Sequence, residues 1–170
     1  MTSIPNWFER SFAFTFPIEQ FPNVSIRLRG APARLEELLR GCSPELLVAR
    51  REGKWSAQEH AGHLLDLEPL WMARVSDFLN SAQVLTVADL TNRRTHEANH
   101  NAHPLEAILG AFRKARFELV HRVENFAIGV FARSILHPRL QQPMRLVDHL
   151  FFVAEHDDHH LAKIWELVRP

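Results

Sequence analysis

The sequence predicts an all-α protein folded as a four-helix bundle. Apolar residues make up 46% of the 170 positions, and in four long stretches they recur every three or four residues, as in helices with one buried face. Prolines, glycines and polar residues separate these stretches, and no segment shows the convincing alternation of a strand. No repeat or flexible linker interrupts the chain, so residues 1–170 are expected to form a single domain.

The first helix is expected over about 22–40. Gly30 and Pro32 lie inside it and predict a kink or an irregular first half, because proline removes a backbone donor. A short helical turn is expected at 44–48, where a proline follows a serine. The apolar residues of the first helix form one stripe: Val24, Leu28, Ala31, Leu35 and Leu38.

The second helix begins with a capping box. The Ser56 side chain can accept a hydrogen bond from the third helical amide, and Glu59 can reach back to the serine amide. Trp55 directly precedes this cap, and Pro69 predicts a kink further along. The apolar stripe of this helix follows the same spacing: Leu64, Leu67, Trp71, Val75 and Phe78.

The last two helices are expected over about 104–126 and 144–168, where apolar residues again follow helical spacing. Pro104, near the start of the third helix, occupies a place where no amide hydrogen is needed, and the fourth helix is expected to begin after Pro143. The segment 88–102 is polar, and 129–142 is expected to be an irregular loop.

Histidine is the unusual component, with eleven residues in a chain that has no tyrosine. At 100° per residue, His156 and His160 share the inward arc of the last helix, and their i,i+4 spacing lets both reach one ion. His63 lies on the inward face of the second helix. His63, His156 and His160 therefore predict an open three-nitrogen metal site. The other histidines receive no ligand role: His149 is expected in the core or beside a ligand, and His121, His137 and His159 on the surface or in loops.

A rival constellation lies in the polar segment. His96, Glu97 and His100 match the zincin spacing, in which two histidines bind zinc and the glutamate activates water. The flanking residues offer no apolar stripe that would bury such a helix, and Pro104 ends it. We therefore disfavour a zincin-type protease.

Two segments carry a family resemblance: GKWSAQEHAGHLLDLE at 53–68 and AEHDDHHLAKI at 154–164. The first joins a Trp-Ser-x-x-Glu helix start to Gly-His-Leu, and the second contains His-x-x-His-His. Together they resemble the DinB-like (YfiT-like) superfamily. The resemblance implies a four-helix bundle, a homodimer, and a divalent metal, zinc or nickel, held by His63, His156 and His160.

The resemblance leaves the reaction open. Characterised relatives include thiol S-transferases that use bacillithiol and isomerases that use mycothiol, and others are regarded as metal-dependent hydrolases. It therefore implies a small-molecule substrate, with a low-molecular-weight thiol among the candidates. We expect a thiol S-transferase first and a hydrolase as the alternative. A non-enzymatic metal-binding or sensing protein on the same fold also fits.

Four further residues are candidates for a role at the site. Glu59 is a candidate general base, although its place in the capping box explains it equally well. Asp66 and Asp157 are expected to contact metal ligands. Arg116 interrupts an apolar stripe and needs an anionic partner, either a carboxylate of the bundle or one on the substrate.

Composition and charge exclude several classes of protein. Twenty Lys and Arg balance twenty Asp and Glu, which argues against a nucleic-acid binder that relies on general electrostatic attraction. The single cysteine, Cys42, rules out an intrachain disulfide, and its distance from both histidine stretches argues against a cysteine nucleophile. No signal peptide or membrane-length apolar run is present, so we expect a cytoplasmic protein.

Overall fold

A computed structural model describes residues 4–169 of the chain. The all-α prediction is confirmed, because four long helices form a bundle and the other elements are short. In chain order the elements are α1 (Phe21–Leu39), α2 (Pro44–Val48), α3 (Ala57–Leu79), α4 (Arg93–Glu97), α5 (Leu105–Glu124), β1 (Ser134–His137), β2 (Gln142–Arg145) and α6 (Leu146–Val168).

The four long helices pack in a ring. Helix α1 contacts α5 and α6, and α3 contacts the same two helices, so α1 and α3 lie diagonally across the bundle. Two apolar clusters fill the interior, as the helical stripes require. The larger is built around residues such as Leu28, Phe78 and Val153, and the smaller around Leu35, Phe112 and Ile164.

Helix α1 is continuous, so the predicted irregular first half is not observed. Pro32 lies inside the helix and has no amide hydrogen to donate to the Leu28 carbonyl, four residues earlier. That carbonyl instead lies 3.4 Å from Nη1 of Arg116, which donates to it from the bundle interior. A partner from another helix thus replaces the missing helical hydrogen bond.

The segment 129–142 is more ordered than the expected loop. A short 3-10 turn (Ile128–Ala132) is followed by an antiparallel hairpin of β1 and β2, in which Ile135 pairs with Met144. Each strand has four residues and β2 contains Pro143, so alternation is too brief to be read from the sequence. The expectation that His137 lies on the surface or in a loop is wrong, because this residue ends β1 and is 2% exposed.

The aromatic N-terminal segment covers one side of α6. The Trp7 ring centroid lies 5.0 Å from Phe152 and 5.0 Å from His156, and Phe12 also packs on Phe152. The segment therefore lies over the part of the bundle that carries the inward histidines. No helix in residues 4–169 is long and apolar enough to span a bilayer.

Candidate metal centre

Three histidines from two helices meet inside the bundle. His63 comes from α3, and His156 and His160 come from successive turns of α6. One ring nitrogen from each lies within 4.8 Å of the others, and all three residues are buried. The inward face inferred from the helical spacing therefore brings together the same three side chains.

The electrostatics of the three rings suit metal coordination. Burial lowers the pKa of His63 to about 4 and lowers the pKa of both His156 and His160 well below the usual value. All three are therefore neutral near pH 7 and keep a free lone pair. Nδ1 of His156 is buried and has no hydrogen-bond partner in the described chain, as expected of an atom that awaits a ligand. These donors fit a divalent metal such as zinc or nickel.

Two neighbouring side chains orient the rings. Nδ1 of His63 lies 3.0 Å from Oγ1 of Thr95, in α4, and Nδ1 of His160 lies 2.8 Å from Nδ1 of His60, in α3. With Nδ1 engaged in this way, Nε2 is the nitrogen of His63 and of His160 that remains for a metal. Sequence reasoning missed both partners. His60 could have been found, because it lies three residues before His63 on the same helix. Thr95 could not, because it lies in a polar segment with no apolar periodicity that would indicate its orientation.

Asp66 holds the segment that carries Thr95 against α3. Its Oδ2 lies 2.8 Å from Nε2 of His100. Burial raises the pKa of Asp66, but hydrogen bonds from His100 and Thr95 lower it more, so the carboxylate stays ionised. Asp66 thus acts on His63 through Thr95, and within residues 4–169 it forms no hydrogen bond to a histidine of the trio itself.

The residues of the rival zincin pattern do not converge. Helix α4 ends at Glu97, and Asn99 adopts a left-handed conformation with φ 48°, which breaks the helix before His100. His96 is exposed, whereas His100 is buried against Asp66. A zincin needs both histidines on one continuous helix face, and this segment does not provide it.

The other candidates have structural partners. Glu59 completes the capping box with Ser56 and pairs with Arg50; burial raises its pKa, but these contacts lower it to about 2. Arg116 is fully buried and pairs with Asp157 and with Glu68, whose Oε1 lies 2.6 Å from Nη2. The anion beside Arg116 is therefore supplied by the bundle itself.

A cavity of about 550 Å³ opens beside the three histidines. Trp7, Trp55 and Trp71 form much of its wall, and the ring of Trp55 packs at an angle against that of His63 with centroids 4.7 Å apart. His137 and His159, which were expected to have no role, also line it. Cys42 lies outside the lining, as do Glu59, Asp157 and Arg116.

The fold and the buried histidines define a class of protein: helical bundles with a candidate three-histidine metal site. Within that class the chain belongs to the DinB superfamily, since a family model of that superfamily matches residues 27–164. Its fold is similar to that of YfiT from Bacillus subtilis, described as "a probable metal-dependent hydrolase with an unusual four-helix bundle topology". The TM-score is 0.80 at 20% identity, over 94% of this chain and 91% of that one. None of the curated proteins matches the sequence.

Proposed function

We propose that this protein binds a divalent metal through His63, His156 and His160 and hydrolyses a small molecule held in the adjoining cavity. The observation that carries the proposal is the meeting of three buried, neutral imidazoles at the wall of a cavity of about 550 Å³. The description of YfiT as metal-dependent supports it by analogy of fold. A divalent metal with an open position supplies an activated water and polarises a carbonyl or phosphoryl group.

The residues of the chain provide orientation and binding. Thr95 and His60 hold two of the imidazoles in place, which keeps the ligand nitrogens aimed at one point. The tryptophans of the cavity wall bind apolar parts of a substrate and restrict water around the reacting group. Cys42 does not line the cavity, so a cysteine nucleophile has no part in the proposal.

The metal site is tested by measuring bound metal in protein purified without a histidine tag and incubated with zinc or nickel. We expect about one equivalent in the wild type, because three neutral nitrogens and one open position make one site. His156→Ala should lose it, whereas His96→Ala should keep it, since His96 is exposed and lies outside the trio. A wild type that binds neither metal, or a loss confined to His96→Ala, refutes the proposal.

Thiol S-transfer is the second candidate. It is kept because an open position on a bound metal could take a thiol in place of water, and the resemblance of the two histidine segments includes thiol S-transferases. Ester and amide substrates are assayed alone, and electrophiles are assayed with bacillithiol, mycothiol or glutathione, each with and without metal. A metal-dependent rate with water alone supports hydrolysis, and one that requires a thiol supports transfer. Bound metal with neither rate supports a non-enzymatic metal-binding or sensing protein.

A further inference from the structure

Two arginines, Arg74 and Arg139, line the same cavity, and neither has a carboxylate partner within residues 4–169. Arg74 is 2% exposed; its Nε donates to the Thr86 carbonyl at 2.9 Å and its Nη1 lies 3.2 Å from Nε2 of His137. Arg139 stacks its guanidinium on the rings of Phe8 and Phe152. Its Nη2 is buried and has no hydrogen-bond partner within residues 4–169.

Arg116 has the carboxylate partners that Arg74 and Arg139 lack within residues 4–169. Arg116 is also fully buried, but its charge is matched by two carboxylates, those of Glu68 and Asp157. Arg74 is 2% exposed and has no such partner within residues 4–169, which is costly because burial removes the hydration of the guanidinium. Arg139 is only partly buried, so the cost there is smaller. The same effect appears in the pKa values, since burial lowers the pKa of Arg74 to about 10 and also lowers the pKa of Arg139.

We propose that Arg139, assisted by Arg74, binds the anionic oxygen group of the substrate, a carboxylate in the simplest case. The ligand class is an apolar small molecule with one acidic end. Arginine presents a fixed fork of donors that suits such a group, and both arginines line the cavity without a carboxylate partner within residues 4–169. The tryptophan wall would take the apolar part.

Arg139 lies where it could bind the acidic end of a substrate while the reacting group of the same molecule lies at the three histidines. Phe152, on which Arg139 stacks, lies one helical turn before His156 on α6. A helical turn rises about 5.4 Å, so an acidic group and a reacting group separated by a few bonds can occupy the two places together. Calling the ligand a substrate rests on the proposed function, whereas the anion site itself does not.

The other charged side chains at the cavity are those of Lys163 and Asp89. Lys163 lies 3.9 Å from Glu166, in the next turn of α6. Asp89 accepts hydrogen bonds from the Thr91 hydroxyl at 2.6 Å and from the Arg93 amide at 3.0 Å. Its carboxylate is therefore turned to its own loop and leaves the two arginines to a ligand.

The test measures binding of 3-phenylpropionate and its neutral amide, 3-phenylpropionamide, to the full chain by calorimetry. Measurements are made with metal and after chelation, because a bound metal can itself attract a carboxylate. In the metal-free protein at pH 7.5 we expect the acid to bind about tenfold more tightly than the amide, through charge-assisted hydrogen bonds. Phenyl phosphate is measured in parallel to distinguish a carboxylate from a phosphate.

The variants identify the cation. Arg139→Gln should reduce acid binding about tenfold, to the level of the amide, and leave amide binding unchanged. Arg40→Gln is the matched control, because Arg40 is exposed and pairs with Glu37 away from the cavity. Equal binding of acid and amide by the wild type overturns the proposal. So does a preference that survives Arg139→Gln, or one that is lost only in Lys163→Gln.

The result is separable from that of the metal experiment. If the protein binds no metal but prefers the acid over the amide through Arg139, the anion site is supported and the metal-dependent function is rejected. If it binds one equivalent of metal but shows no preference for the acid, the metal site is supported and the anion site is rejected. Circular dichroism of Arg139→Gln confirms that the variant is folded, and Arg139→Lys, which keeps the charge, should retain part of the preference.

Discussion

A β-carbon on Gly62 would lie 2.2 Å from Cγ of His100, so the imidazole packs against the backbone of α3 only because position 62 has no side chain. His100 in turn contacts Asp66, one turn further along α3. The two contacts dock the segment that also presents Thr95 to His63. The glycine of the Gly-His-Leu motif thus has a physical role next to the candidate metal ligand that follows it.

Gly62→Ala should destabilise the protein by about 1–3 kcal/mol, because the ring of His100 or the backbone of α3 must move to admit the methyl group. Urea unfolding of both proteins measures the difference. Gly110→Ala is the control, since Gly110 lies within α5 with no atom within 4 Å of an added β-carbon. That variant should gain about 0.5–1 kcal/mol from helix propensity. Equal effects of the two substitutions would contradict the close packing at Gly62.

Thr95→Val should weaken metal binding about 10–100-fold, because valine keeps the shape of threonine but removes the oxygen that orients His63. Competition with a chromogenic chelator measures the affinity. Thr91→Val is the control, because Thr91 is exposed and bonds only to Asp89 in its own loop. An unchanged affinity in Thr95→Val would show that the hydroxyl does not position the ring.

The helices could be predicted from the spacing of apolar residues within each segment. The histidine trio could be predicted because the same spacing places each of its members on the inward face of its own helix. His156 and His160 are one turn apart on α6, and His63 lies on the same inward face of α3 as apolar residues with helical spacing. The homodimer, the cytoplasmic location and the identity of the metal stay predictions.

The partners of the trio could not be predicted in the same way. Thr95 and Arg139 reach the site from connecting segments whose paths depend on tertiary packing, and such paths leave no periodicity in the sequence. The hairpin that carries His137 inward was missed for a related reason, because its four-residue strands are too short to show alternation.

Asp157→Asn should cost about 3 kcal/mol of stability, because it leaves the buried charge of Arg116 with one carboxylate instead of two. Asp158→Asn is the adjacent control. Asp158 pairs with Arg27 and Arg34 at the surface, where ion pairs contribute less than about 1 kcal/mol. Urea unfolding distinguishes the two. A small effect of Asp157→Asn together with lost activity would instead place Arg116 and Asp157 in substrate binding.

The metal-free protein should lose stability as the pH falls below about 6.5. Burial lowers the pKa of His60 to about 3 and of His63 to about 4, so the folded protein keeps both neutral where the unfolded chain takes up protons. Each such group lowers the free energy of unfolding by about 1.4 kcal/mol per pH unit from pH 6.5 down to its folded pKa. Above pH 6.5 both states are neutral, and this contribution vanishes.

Glu68 and Asp157 have the opposite effect. Burial raises the pKa of Glu68 to about 7 and also raises the pKa of Asp157, so the folded protein binds protons there that the unfolded chain does not. The buried histidines outnumber these two acids, so the free energy of unfolding should still fall toward acid pH. Urea unfolding at pH 8, 6.5 and 5.5 measures the slope for the wild type. His63→Asn should reduce this slope by one proton's worth. His121→Asn is the control at an exposed position. A free energy of unfolding that is equal at pH 8 and 5.5, or a slope that His63→Asn leaves intact, would show that the His63 imidazole is not held neutral inside the bundle.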